Sequence, residues 1–190
     1  MKIAPLILSL LWLAVAPLAG CVVRLGFTPQ AGWIDENPSS SVRVAEYRLL
    51  GDGELSADAR LVIYHFGDRG AGTIEANLER WYGQFEQPDG RPSSEVASVS
   101  ERRVNGLAVT AIDLAGTFVA ETTPGSGERH HDPGFRMLAA IVSTDVGAYY
   151  IKLVGPAGTV AKWEGTWDDF LSSVYPDRWP PDERDNAGHP

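Results

Sequence analysis

The chain has 190 residues, 44% hydrophobic and 22% charged, with a formal net charge of −9 and one cysteine. That balance suits a globular protein with its own core, while the acidity argues against nucleic acid and against electrostatic docking on anionic lipid. A lone thiol excludes an internal disulfide, so the fold must hold by packing.

The first element is a leader. Lys2 supplies a positive start, and residues 3–16 are uncharged and rich in Leu, Ile, Ala and Val. That stretch suits the apolar region of a signal peptide better than a bilayer span. Pro17 breaks a helix, and Leu18-Ala19-Gly20-Cys21 follows with small residues before the thiol. The segment resembles the lipobox of bacterial lipoproteins. The resemblance implies that residues 1–20 are a signal peptide and that the Cys21 sulfur receives a diacylglyceryl group. It also implies that the chain is cut before Cys21 and the new amine acylated. The product keeps 170 residues and, without Lys2, a charge of −10. Each buried methylene contributes about 0.8 kcal/mol, so two or three acyl chains moor a protein where one is marginal. The expected location is the cell envelope, lipid-anchored and extracytoplasmic. Val22 stands where Asp would resemble an inner-membrane retention signal, which favours the outer membrane in a cell with two. The alternative is an uncleaved anchor over the uncharged residues 3–23.

Residues 21–25 read as the lipidated cysteine and a short tether, 26–175 as a single domain, and the Pro-rich, polar 176–190 as a disordered tail. An irregular first strand is placed near 24–28. Residues 42–50 form a strand carrying Arg43, Glu46 and Arg48, ended by Gly51-Asp52-Gly53. Residues 61–66 are a continuous run of β-formers, which predicts a central strand covered on both faces. Thr73 caps a helix to about residue 85, with Ile74, Leu78, Trp81 and Phe85 on one stripe. Asn105-Gly106 joins strands over 95–104 and 107–119, and Asp145-Val146-Gly147 joins strands over 135–144 and 148–154. After Gly155-Pro156, a helix over 157–174 buries Val160, Trp163, Trp167, Phe170, Leu171 and Val174. The fold class is therefore α+β: an antiparallel sheet of five to seven strands with two amphipathic helices packed on it.

Several of these features together resemble the PsbP-like domain, shared by the extrinsic photosystem II protein and Mog-type Ran-binding proteins. They are Gly32-Trp33, the strand with Val42-Arg43, an early helix with Trp81 and Phe85, and Gly155-Pro156 before a final helix with Phe170 and Leu171. The resemblance spans about residues 24–175. It implies a non-catalytic binding or assembly domain with an envelope protein as partner, and it transfers no functional residue.

Candidate chemistry is sparse. Gly67 to Thr73 sits between a strand and a helix N-terminus, where backbone N–H groups cradle anions; a phosphate loop, however, needs Lys before its Ser or Thr, and Gly72 stands there. His130, His131 and Asp132, in the loop 116–134, are ligand or metal-binding candidates by residue type. Neighbouring residues in a strand point to opposite faces, and no further ligand at fixed spacing completes the set. No G-x-S-x-G is present, His65 reads as a core histidine, and Asp168-Asp169 diverge by about 100° on their helix. The sequence calls for no cofactor and no catalytic residue. It points to a tethered, non-enzymatic binding or assembly module. The alternative is a small-ligand or metal-binding lipoprotein that uses the 116–134 loop.

Overall fold

A computed structural model describes residues 22–53, 56–67, 70–123 and 125–179. The leader, Cys21 and the end of the chain from residue 180 lie outside the described residues.

Ten strands and three helices follow one another: β1 (Val22–Gly26), β2 (Ile34–Glu36), β3 (Arg43–Leu49), β4 (Ala59–His65), α1 (Ile74–Tyr82), β5 (Phe85–Glu86), α2 (Ser93–Val96), β6 (Ser98–Val104), β7 (Leu107–Phe118), β8 (Asp132–Thr144), β9 (Gly147–Pro156), α3 (Ala157–Ser173) and β10 (Tyr175–Trp179). The class is α+β. The main sheet runs β2-β3-β4-β9-β8-β7-β5, with β6 also paired to β7, and its pairings are all antiparallel.

Eight strands exceed the expected five to seven because β2 and β5 have three and two residues, too few to show a period in sequence. The third helix, α2, is a single turn that overlaps the start of the 95–104 stretch read as strand. Pro92 precedes it, and the Ser93 hydroxyl donates to the Phe85 carbonyl at 2.9 Å, which fixes the turn before β6 begins.

The ends of the domain also differ from expectation. β1 and β10 pair antiparallel with Val22 opposite Trp179 and Gly26 opposite Tyr175. Residues 22–25 are thus part of a strand and not a free tether, and residues 176–179 belong to its partner and not to a disordered tail. Leu25 is buried in the main core and anchors this ribbon.

The hairpins follow their turn chemistry. Asn105 and Gly106 take φ of 48° and 86°, the left-handed pair that a two-residue hairpin requires. Strand alternation then sorts the side chains. Leu61, Ile63, Leu138, Ala140, Ile151 and Leu153 face α3, where Val160, Trp167, Phe170 and Leu171 close one core. Met137, Ala139, Ile141, Ile112 and Leu114 face α1 and pack with Trp81 and Phe85 in a second. Gly155 permits the close approach of β9 to the start of β4: a Cβ there would lie 2.6 Å from that of Ala59.

Candidate functional site

The α1 face of the sheet is only half covered. α1 lies over the β7, β8 and β9 side. Over β2, β3 and the end of β4 near Arg60, the sheet is paved with charged side chains. Arg48 bonds Glu36 at 3.0 Å and Asp58 at 3.1 Å, while Arg60 reaches Glu36 at 3.4 Å and Glu46 at 3.2 Å. Glu46 is the keystone. It is 0% exposed, and it accepts from the Ser39 backbone and hydroxyl and from Arg43 at 2.6, 2.9 and 2.8 Å. Burial pushes its carboxyl up, but the Ser39 and Arg43 bonds outweigh that, and its pKa is lowered overall.

Where this paving meets α1, a cleft of about 210 Å³ opens between α1 and the β4–β9 pair. Tyr64 of β4 stands opposite Tyr150 of β9, and Val62 opposite Lys152, so Tyr64, Tyr150 and Lys152 share the α1 face. From the other wall come Arg80, Trp81 and Gln84. Phe66 closes the mouth at 42% exposure, stacked on Tyr64 at 6.1 Å and edge-on to Tyr150 at 5.7 Å.

The cleft is rigidly built. Buried Asn77 donates to the carbonyls of Thr73 at 2.8 Å and Ala71 at 3.3 Å, and its Oδ1 accepts from Arg80 at 2.6 Å. Arg80 also donates to the Ala71 carbonyl at 3.2 Å. The Tyr150 hydroxyl accepts from the Ala71 amide at 3.1 Å. Lys152 is different. Its Nζ donates to Gln84 Oε1 at 2.5 Å, and among the described residues it makes no ion pair. The residue keeps some surface toward the cleft, but protein encloses its ammonium, and that burial lowers its pKa to about 8. Burial likewise raises the pKa of Tyr64.

The residues singled out in sequence lie elsewhere. β8 begins at Asp132, further into the 116–134 segment than expected, while β7 ends at Phe118, and the His130 amide donates to the Ala120 carbonyl at 2.9 Å. His130 Nδ1 and Asp132 Oδ2 meet at 2.9 Å, because residues two apart in extended chain share a side; His131 between them is exposed. Among the described residues no three His, Cys, Asp or Glu side chains converge on a common point. In the glycine-rich loop, the Gly70 amide donates to the Gly67 carbonyl, the Ala71 amide to Tyr150, and Thr73 caps α1 through the Ala76 amide. Those N–H groups are committed within the protein; Asp68 and Arg69 lie outside the described residues. His65 stacks on Tyr149 at 4.3 Å. Lys152 leaves one signal in the sequence, a charge inside the β-former run Tyr149-Tyr150-Ile151-Lys152-Leu153-Val154, which by itself names no site.

The geometry defines an antiparallel α+β domain with one face covered by the long helix α3 and the other partly covered by α1. No protein-family model matches the chain, and no curated protein matches it significantly. Among solved structures it is similar to a Pseudomonas aeruginosa protein of unknown function, PA94, described as a putative regulator (10% identity, TM-score 0.46, covering 78% of this chain and 94% of that one). It is also similar to cyanobacterial PsbP, CyanoP, from Synechocystis (12% identity, TM-score 0.46, covering 85% and 96%). CyanoP is of the PsbP type named above. Neither likeness bears on the activity, ligand or partner of this chain.

Proposed function

We propose that this chain is a lipid-anchored, extracytoplasmic domain of PsbP-like type that works without catalysis. It binds or helps assemble another envelope protein through the open half of its α1 face. The observation that supports this most is the paving over β2, β3 and β4. Arg43, Arg48 and Arg60 are already matched by Glu36, Glu46 and Asp58, so the surface presents preformed hydrogen-bonding groups with little net charge. Such a surface suits a protein partner of mixed charge better than nucleic acid or anionic lipid. The anchor rests on Leu18-Ala19-Gly20-Cys21. Because β1 starts at Val22, lipid on Cys21 is covalently one residue from the domain and holds it close to its membrane.

Two experiments test this. Labelled palmitate enters the native protein and is lost on Cys21→Ser; unchanged labelling of that variant rules the lipid out. A photo-crosslinker at residue 60 captures a stoichiometric envelope protein in intact cells, whereas one at residue 169, on the exposed side of α3, does not; equal capture from both positions defeats the assignment of the face.

The second reading, a small-ligand or metal-binding lipoprotein using the 116–134 loop, is favoured only by the contact between His130 and Asp132. Under it, zinc gives a saturable calorimetric signal that deletion of residues 122–132 abolishes. Heat no greater than dilution removes it.

A further inference from the structure

We propose that the cleft between α1 and the β4–β9 pair binds a small aromatic carboxylate, with the acid group on the Lys152 ammonium and the ring beside Phe66 and Tyr64. This rests on the reading of the domain as a binding module and names a ligand class for it.

The argument starts from unspent donors. An ammonium carries three N–H groups. Gln84 Oε1 takes one, and no carboxylate among the described residues takes another. Asn77 and Arg80 hold each other and the 71–73 backbone, and the Tyr150 hydroxyl holds the Ala71 amide. The site thus offers the Lys152 ammonium with two free donors, which matches the two oxygens of a single carboxylate. Arg80, held among the described residues only by the neutral Asn77 side chain and the Ala71 carbonyl, is a second cation on the cleft wall and adds to the preference for an anion.

Size and shape narrow the class further. About 210 Å³ is below the roughly 300–1,000 Å³ of pockets that enclose drug-sized molecules, so a nucleotide or a lipid chain is too large. One ring with a short acid arm fits that scale. The exposed ring of Phe66 with Tyr64 behind it gives a flat surface for stacking, and the Trp81 side chain forms the deeper wall. The ammonium also gains from such a ligand, because its present partner is a neutral amide.

The test is ligand-observed fluorine NMR on the full-length protein in detergent, with 4-fluorophenylacetate as probe and 4-fluorophenylacetamide and 4-fluorophenethylamine as controls. The acid broadens saturably, and the amide and amine bind at least about tenfold more weakly, the loss of a charge-assisted contact. Lys152→Met weakens the acid about tenfold or more without changing the circular dichroism spectrum. Phe66→Ala, at an exposed position, weakens it severalfold, which keeps the test independent of any folding defect at Lys152. Equal binding of acid and amide overturns the ligand class, as does undiminished binding by Lys152→Met or silence of the acid up to millimolar concentration. None of these outcomes touches palmitate labelling or crosslinking at residue 60, so failure of the ligand class and failure of the wider function are read separately.

Discussion

The two faces of the sheet solve the same burial problem differently. On the α3 face, a 17-residue helix lays Val160, Trp167, Phe170 and Leu171 onto the sheet, and Arg136 ties it down by bonding Asp113 at 2.7 Å and Glu164 at 2.9 Å. On the α1 face, a 9-residue helix covers part of the sheet, and the remainder is closed by ion pairs. Apolar burial is non-directional and tolerant, and on the α3 face it carries most of the packing. Charged paving and an enclosed lysine are costlier to maintain, and their place beside an open cleft is the reason the proposed ligand and partner contacts are assigned to the α1 face.

This contrast predicts unequal responses to substitution. Phe170→Ala removes a fully buried ring from the α3 core that also contacts Phe27 and Trp33 at 5.7 and 5.1 Å. It costs about 3–5 kcal/mol in denaturant unfolding; a cost under about 1 kcal/mol would mean that this face is no better packed than the other.

Glu46→Gln comes next, at about 2 kcal/mol near pH 7, since it weakens several bonds to a buried carboxylate. Its pKa is lowered on folding, so its contribution is present above the unfolded carboxylate range and is lost as pH falls through the folded value. Unfolding curves for wild type and variant therefore draw together as pH falls below the ordinary glutamate range. A gap that stays constant with pH means that Glu46 is not the ionised keystone.

Lys152→Met has the opposite sign and stabilises by about 1–2 kcal/mol at pH 7, because an ammonium with a neutral partner leaves the interior. The folded pKa of Lys152, about 8, lies below the unfolded value of 10.5. The unfolded chain thus binds more protons between these values, and wild-type stability rises with pH across that window. The advantage of the variant shrinks from pH 8 toward 10, which parallel thermal melts of the two proteins measure.

The smallest effect is Gly106→Ala, about 1 kcal/mol, from forcing a Cβ into φ of 86° with no neighbour within 4 Å to clash. Loss of the β6–β7 pairing instead of a uniform small shift, seen by amide exchange, would assign this turn a larger role in the sheet.

Much of the framework was readable before any coordinates. The 3.6-residue spacing of α3, the Thr73 cap, the Asn105-Gly106 turn and the β-former run at 61–66 are local patterns, and local physics produced the elements they announce. The short strands β2 and β5 were not readable, because two or three residues carry no period. The pairing of β1 with β10 was not readable either: Tyr175-Pro176-Asp177 and Val22-Val23-Arg24 are polar or brief segments that become strands only when brought side by side.

The candidate site divides in the same way. Sequence by itself established the class of the domain, the apolar stripes that cover its two faces and the Leu18-Ala19-Gly20-Cys21 signature, since each depends on residues near one another in the chain. Tertiary structure alone decided that Lys152 of β9, Gln84 after α1 and Phe66 after β4 share one cleft, and that Glu46 collects Arg43, Arg60 and Ser39. Strand register and helix docking set those distances, and they arise from packing across the whole sheet, beyond the reach of any short run of residues.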